Sequence, residues 1–557
     1  MTESPHPFYA KHADTLARAL TAIAERGYWS AYPESPSPRV YGETAAADGE
    51  AAFRSYLGQQ FPLEQPATRD WVATESSPFG IDLGVRYPHS DPDALISAAR
   101  AALPAWRDAG PQTRVGVCLE ILARLHAHSF ELANAVQFTT GQAFIMAFQA
   151  GGPHALDRAL EALAYAYAEM TRHPGTAQWE KPAKGEPLRM TKTFHVVPRG
   201  VALVVGCNTF PTWNSYPGLF ASLVTGNPVL VKPHPRSVLP LAITVRYARE
   251  VLAEAGFDPN LVLLAPEAPG EGLASSLATH PEVKIIDFTG STEYGDWLEA
   301  NARQAVVYTE KAGVNTIVVD STADFAGMCR NIAFSLTLYS GQMCTTPQNI
   351  LVPAGGIDTD RGHLSFDEVA EGIAAAVDKL TGDAARAVEV TGAIVNDGVL
   401  ARLDEAAKAG DVVLASRAVT HPAYPDAVVR TPLMVKLGAD RADVYGREWF
   451  GPISFIIATD STEHSLEIFR ATVGQRGALT AAVYATGEQV LDAMEEAALE
   501  VGVHLSCNLT GGVFVNQSAA FSDFHATGAN AAANAALTDG AYVSNRFRIV
   551  QSRRHSA

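Results

Sequence analysis

The chain has 557 residues, 47% of them hydrophobic and 18% charged, with a formal net charge of -18. That supply of apolar side chains suffices for a large core and predicts more than one domain. The acidic balance, with no Lys/Arg run, excludes a protein that needs a basic face for nucleic acid. No stretch of about 20 apolar residues occurs, so no membrane span is expected. Cys118, Cys207, Cys329, Cys344 and Cys507 are odd in number and widely spaced. They are no disulfide framework and fit a reducing, cytoplasmic compartment. The first residues lack the basic-then-apolar order of a secretory leader.

Residues 1–80 predict one short helix, around ADTLARALTAIAERG, and no assignable function. From Asp93 to about Arg172 apolar residues recur at three-and-four spacing, which predicts helices. WEKPAKGEPLRMTKTFHVVPRG then reads as a loop or an exposed hairpin. After it the rhythm changes to short β-rich runs: VALVVG, PVLVKP, LVLLAP, VKIIDFTG and VVYTEKAG, separated by helical stretches. Continuous apolar strands alternating with helices predict a parallel sheet covered on both faces. A second αβ series runs from about 314 to 505. In the tail, GGVFVN and YVSNRFRIV both read as strands.

Five stretches could carry chemistry. SGQMCTTPQN (340–349) sets Cys344 among small polar residues, where a thiol stays approachable; a chance surface cysteine is the plainer alternative. A free thiol is mostly protonated at neutral pH, so a nucleophile here needs N–H groups, a cation or a base. Glu310 ends the strand of VVYTEKAG, at the edge where parallel sheets build sites, and could serve as a general base. Asn208 leaves the strand of VVGCNTFP and could donate to an oxyanion, with Asn214 as its rival. Lys232 ends the next strand, facing a ribose or phosphate. Gly290 and Ser291 of FTGSTEYG open a helix whose free N–H groups suit a pyrophosphate, although a plain N-cap explains them equally. REWFGPISF offers Glu448 and Phe450 beside a Gly-Pro turn. His126 and His128 fall on different helix faces, and no Cys/His ligand spacing occurs, so no metal is expected. Phe210, Trp213, Tyr216, Phe521 and Phe524 are pocket-wall candidates or, more simply, core.

In order and spacing, CNTFP, KP, FTGS, TEKAG, GQMC and EWFGP resemble the aldehyde dehydrogenase superfamily. Glu310 stands 34 positions before Cys344, as in typical members; Asn208 stands 24 before Lys232, one more than usual, and Asn214 only 18. The resemblance covers about residues 80–550. It implies an α/β fold with a Rossmann-type cofactor domain (81–309), a catalytic domain (310–505) and a C-terminal segment (506–557) with a substrate loop. It also implies an oligomerisation arm, from residues 176–198 and 541–551, in a homodimer or homotetramer. By the same resemblance Cys344 is the nucleophile, Asn208 and the Cys344 N–H form the oxyanion hole, and Glu310 activates water. Lys232 and Glu448 hold the cofactor's riboses, Phe450 packs near the nicotinamide, and Gly290 and Ser291 lie by the pyrophosphate.

Three departures from the pattern carry meaning. Position 235, where the family often has a ribose-binding acid, is Pro, which admits a 2′-phosphate and tilts the expectation slightly to NADP over NAD. Lys311-Ala312 follow the base glutamate in place of Leu-Gly; the glutamate itself remains, which favours hydrolysis over acyl transfer to CoA. The C-terminal text, with the N-terminal extension, resembles the phenylacetic acid degradation (PaaN) branch. That implies an aldehyde substrate from aromatic-ring opening, with a CoA thioester among the candidates. The alternatives are a cysteine-dependent thioester or ester hydrolase without a dinucleotide, and a non-catalytic scaffold.

Overall fold

The computed structural model describes residues 5–311 and 313–555 and is built on two largely parallel sheets. The first orders its strands Val262–Leu264, Val229–Lys232, Val201–Val205, Val283–Thr289 and Val306–Glu310. Every pairing in it is parallel. Strand 201–205 is buried throughout and shows why an unbroken apolar run is needed. Ala202 and Val204 join one core with helices Gly110–Ala127, Pro153–Thr171, Pro211–Val224 and Leu239–Glu254. Val201, Leu203 and Val205 join another, with Leu95, Ile96, Leu273 and Leu298. Successive strand side chains point to opposite faces, so both must be apolar. The chain builds outward from 201–205 on one side and then crosses to the other. The order therefore reverses between 201–205 and 283–289, where open α/β sheets form a ligand crevice.

The second sheet runs Asp411–Leu414, Leu433–Gly438, Ile453–Thr459, Asn349–Pro353, Thr316–Val319, Thr480–Tyr484 and His504–Cys507. Only the edge strand 411–414 is antiparallel. Residues 92–171 form five helices, as their periodicity predicts. Residues 176–198 form the exposed hairpin, with strands Thr176–Lys181 and Leu188–Pro198. The C-terminal strand Phe547–His555 pairs with 188–198 of the same chain and completes a three-stranded arm. The extension contains helix Ala13–Glu25, as expected, but also Pro7–Lys11, Pro38–Tyr41 and Ala45–Tyr56. It packs tightly: a Cβ on Gly116 would lie 2.4 Å from the Tyr9 backbone nitrogen.

Two tail expectations fail. GGVFVN is a loop, because the Asn331 side-chain amide takes the carbonyls of Gly511 and Val513 (3.1 and 2.7 Å) that a ladder would use. YVSNRFRIV starts as helix Gly540–Ser544, capped by Asp539 on the Tyr542 N–H at 2.7 Å, and turns to strand only at Phe547.

A buried ion pair ties that tail to the first sheet. The Arg546 guanidinium donates to both Asp287 carboxylate oxygens at 2.6 and 2.7 Å, and Tyr542 Oη adds a third bond at 2.7 Å. Gly218 leaves the room, since a Cβ there would sit 2.4 Å from the Asp287 carboxyl carbon. Asp287→Ala strands a buried guanidinium and should cost about 3–5 kcal/mol in urea unfolding. The double replacement with Arg546→Met should cost less than the two single ones summed.

Candidate active site

Cys344 follows a turn that the backbone adopts only under constraint. Tyr339, Ser340 and Gly341 all have positive φ, at 53°, 52° and 64°. For non-glycine residues this costs about 1–3 kcal/mol each and persists only where the surroundings enforce it. Here Tyr339 Oη donates to the Thr140 carbonyl, and Ser340 Oγ donates to the carbonyls of Gly392 and Arg430 at 3.0 and 3.1 Å. A Cβ on Gly341 would meet the Gly451 carbonyl at 2.4 Å, which explains the glycine and places this turn against EWFGP. Beyond the cysteine, the Asn315 side chain donates to the carbonyls of Cys344 (2.8 Å) and Thr346 (3.0 Å). Its oxygen accepts from the N–H groups of Leu479 and Thr480. Thr345 Oγ1 bonds the Asn516 carbonyl at 2.8 Å. The polar text around Cys344 is thus spent mainly on fixing the loop. The cysteine itself stays half-buried.

Glu310 ends strand 306–310 and is 5% exposed. The C-terminal loop closes over it: the Lys311 N–H donates to the Ala532 carbonyl at 2.6 Å, and Asn534 bonds Thr309 in both directions. Glu310 Oε2 accepts from Asn214 Nδ2 at 3.2 Å and lies 3.2 Å from His525 Nε2, off the line of a good hydrogen bond. One donor atom each from Glu310, Cys344 and His525 falls within 4.8 Å of the others. Burial pushes the Glu310 carboxyl up, but His525, the Cys344 thiol and Asn214 more than offset it, leaving it below the ordinary carboxylate value. Desolvation, then the Glu310 carboxylate, push the thiol well above its ordinary value. A cavity of about 20 Å³ beside Glu310, lined also by Asn214 and Thr309, has room for one water.

The two asparagines are separated by what they touch. Asn214 is committed to Glu310, and its carbonyl faces the Cys207 thiol at 3.5 Å. Asn208 lies on the loop whose Cys207 and Phe210 pack against Tyr339 and Met343, next to the Cys344 turn. Its buried side-chain oxygen has no partner among the described residues. Of the aromatic candidates, Tyr216 and Phe521 are fully buried core and Phe210 packs on Tyr339. Trp213 stacks edge-on against His525.

At the first sheet's C-terminal edge, Lys232 is 5% exposed and forms an ion pair with Glu267, from the loop after the neighbouring strand. Ser291 caps helix Thr292–Asn301 and, like Gly290, is exposed. The departure at Lys311 has a local reason: its ammonium pairs with Asp296 and Glu299 of that helix at 2.8 and 3.2 Å. Ala312 lies outside the described residues. The loop of Glu448 and Phe450 is held by the cysteine stretch itself. Gln348 Oε1 accepts from the Trp449 N–H at 2.7 Å, and its amide donates to the Arg447 carbonyl at 2.9 Å. Arg402 Nε bonds the Phe450 carbonyl at 2.9 Å. Burial raises the Glu448 carboxyl to about 7, against the pull of Arg402. Thiol, carboxylate and amides stand where two sheet edges meet, and a model of the aldehyde dehydrogenase family matches residues 86–533.

The chain belongs to the aldehyde dehydrogenase family. The crystal structure of an NAD-dependent aldehyde dehydrogenase from Burkholderia multivorans is similar to this dehydrogenase-family chain at 62% identity over the whole of both chains, with a TM-score of 0.98. Among curated relatives, N-succinylglutamate 5-semialdehyde dehydrogenase from Chromobacterium violaceum is 28% identical over 321 residues, 57% of this chain. The match spans 58% of that relative's length. The 1-pyrroline-5-carboxylate dehydrogenase of Thermus thermophilus shares the fold, with a TM-score of 0.75 at 21% identity over 95% of this chain and 99% of that one.

Sequence reasoning missed His525, Glu267 and Asn315. His525 and Glu267 come from loops distant in sequence from the residues they touch, and a lone His, Glu or Asn in a loop gives no local signal. The coupling of thiol and carboxylate can be measured directly. Glu310→Gln removes the charge that disfavours the thiolate. Carbamidomethylation of the Cys344 peptide by iodoacetamide at pH 8 should therefore run several-fold faster than in the parent, followed by mass spectrometry.

Proposed function

We propose that this chain oxidises an aldehyde to a carboxylic acid, with NAD as acceptor, through a thioester on Cys344. The convergence of Cys344, Glu310 and the Asn208 loop carries this reading. The Cys344 thiol gives its proton to solvent water, and the thiolate sulfur bonds to the carbonyl carbon. Asn208 and the Cys344 N–H stabilise the resulting oxyanion; one such donor is typically worth about 2.7–4 kcal/mol in the transition state. Bound nicotinamide supplies the oxidation, accepting the carbon's hydrogen with its electron pair. The remaining thioester is cut by water: Glu310 takes one proton, the hydroxyl oxygen bonds to the acyl carbon, and the C–S bond breaks. Asn214 holds Glu310 for this task.

The residues at the first sheet's edge fit a dinucleotide. Gly290 and Ser291 present a helix N-terminus to a pyrophosphate, and Lys232 with Glu448 is set to hold the two riboses. Pro235 favours NADP by omission, but Glu267 weighs against it. A carboxylate beside Lys232 can accept from ribose hydroxyls and repels a 2′-phosphate. The neighbouring basic groups are not free to compensate. Arg236 Nη1 donates to the Val395 carbonyl at 2.9 Å, while burial, Lys232 and Arg236 hold His234 down at about 4. The relative from Burkholderia, described as NAD-dependent, supports the same choice.

For the substrate, the semialdehyde dehydrogenases among the relatives support a semialdehyde. The resemblance of the tail to the phenylacetic acid degradation branch refines this to a ring-opened semialdehyde, with a CoA-linked chain as one form. A cysteine hydrolase has no use for the buried Lys232–Glu267 pair, and no observation favours it.

Rapid mixing with aldehyde and NAD should give Glu310→Gln a stoichiometric burst of NADH and then turnover slowed at least a hundredfold. Cys344→Ala should give no burst. Unchanged steady-state turnover in Glu310→Gln would remove that residue from the mechanism. In titrations of protein fluorescence, Glu267→Gln should move the ratio of NAD to NADP affinity toward NADP by roughly tenfold or more, about 1.4 kcal/mol per decade. An unmoved ratio would clear Glu267 of that role.

A further inference from the structure

Resting on the reading of Glu310 as base, we propose that His525 is a positioning residue for it: the imidazole holds the carboxylate at Cys344 and keeps it ready to accept a proton. The argument starts from where the ring sits. His525 is 4% exposed, on the C-terminal loop, and its ring reaches the Glu310 and Cys344 side chains. Its Nε2 is 3.2 Å from Glu310 Oε2, and neither Nε2 nor Glu310 Oε1 has an in-line hydrogen-bond partner among the described residues. A nitrogen lone pair facing a carboxylate at that distance would repel it. With no in-line partner for Nε2, the favourable tautomer carries the proton on that nitrogen, whose positive N–H end faces the carboxylate 3.2 Å away.

The ring is held from two sides. Trp213 packs edge-on against it at 4.6 Å between ring centres, and Arg158 lies over the other ring at 5.5 Å. The backbone of His525 pairs with Leu537 in both directions, at 3.0 and 2.8 Å. Arg158, fully buried and paired with Glu161 at 2.8 Å, donates to the carbonyl of Asp523 at 2.9 Å and to Ser518 Oγ at 2.9 Å. Glu161 in turn accepts from the Phe521 N–H at 3.1 Å. A buried ion pair thus clamps the loop that carries the imidazole. The charged and titratable groups around His525 are Glu310 and Cys344 in front, Arg158 and Glu161 behind Trp213, and Asp523 and His504 on its own side. Only Glu310 is at hydrogen-bond distance, so its charge is the one His525 controls.

Before Glu310 takes a proton from water it must be a free carboxylate, and a donating N–H beside it favours that state where a non-donating side chain does not. His525→Gln keeps a polar end of similar length but cannot titrate. It should preserve the NADH burst and NAD affinity while steady-state turnover falls, by roughly tenfold at pH 6 and little at pH 9. The acidic limb of the kcat profile should move to higher pH, the sign expected when a carboxylate loses its favourable partner. Should that variant fail to fold, His525→Asn takes its place in the same two measurements. The proposal is overturned by an unmoved acidic limb in the His525 variant. Slow turnover in Glu310→Gln beside normal turnover in His525→Gln would sink this proposal alone. Normal turnover in both would sink the underlying reading of Glu310.

Discussion

A carboxylate buried beside a thiol is the constraint on which the site is built. Water solvates a free carboxylate far better than a protein interior does, so Glu310 can stay ionised at 5% exposure only if the protein supplies partners. It does so from three separated segments: Asn214 from the helix after the central strand, Cys344 from the loop before strand Asn349–Pro353, and His525 from the tail. None of the three is adjacent to Glu310 in sequence. The fold's task is to bring them together, and the costly features of the chain lie along that path.

Those features share a logic. The left-handed run at Tyr339, Ser340 and Gly341 turns the chain from helix Phe325–Thr337 into the loop that carries Cys344 before strand Asn349–Pro353. Asn315, Gln348 and Ser340 then spend their side-chain hydrogen bonds on backbone groups of neighbouring loops. The tail contributes twice. Residues 532–534 extend strand 306–310, and the Arg546–Asp287 pair anchors the arm to the strand beside it. Rigidity at the cysteine is paid for by strain and desolvation that only a large, well-packed domain can absorb.

Much of this was legible in the sequence. The apolar runs at 201–205 and 229–232 could only be covered strands, and the order of CNTFP, KP, FTGS, TEKAG, GQMC and EWFGP carried the family. Glu310 and Cys344 were visible because their neighbours are constrained in type. His525 and Glu267 were not, since a single residue in a loop acquires meaning only when distant strands converge on it. YVSNRFRIV and GGVFVN misled because β-branched and aromatic residues favour strands only where a ladder is available. Asp539 and Asn331 capture the backbone groups first. Position 235 shows the same limit: it lacks an acid, while Glu267 reaches Lys232 from another loop that its own neighbours in sequence do not announce.

The central claim is that an acyl group resides on Cys344 between oxidation and hydrolysis. Glu310→Gln protein incubated with NAD and an aldehyde substrate, quenched in acid and digested, would test it by mass spectrometry. The account predicts the acyl mass on the peptide that contains Cys344, close to one per chain, and its removal by hydroxylamine. Product acid formed at the parent rate with Cys344 unmodified, or the acyl group found on another residue, would contradict it.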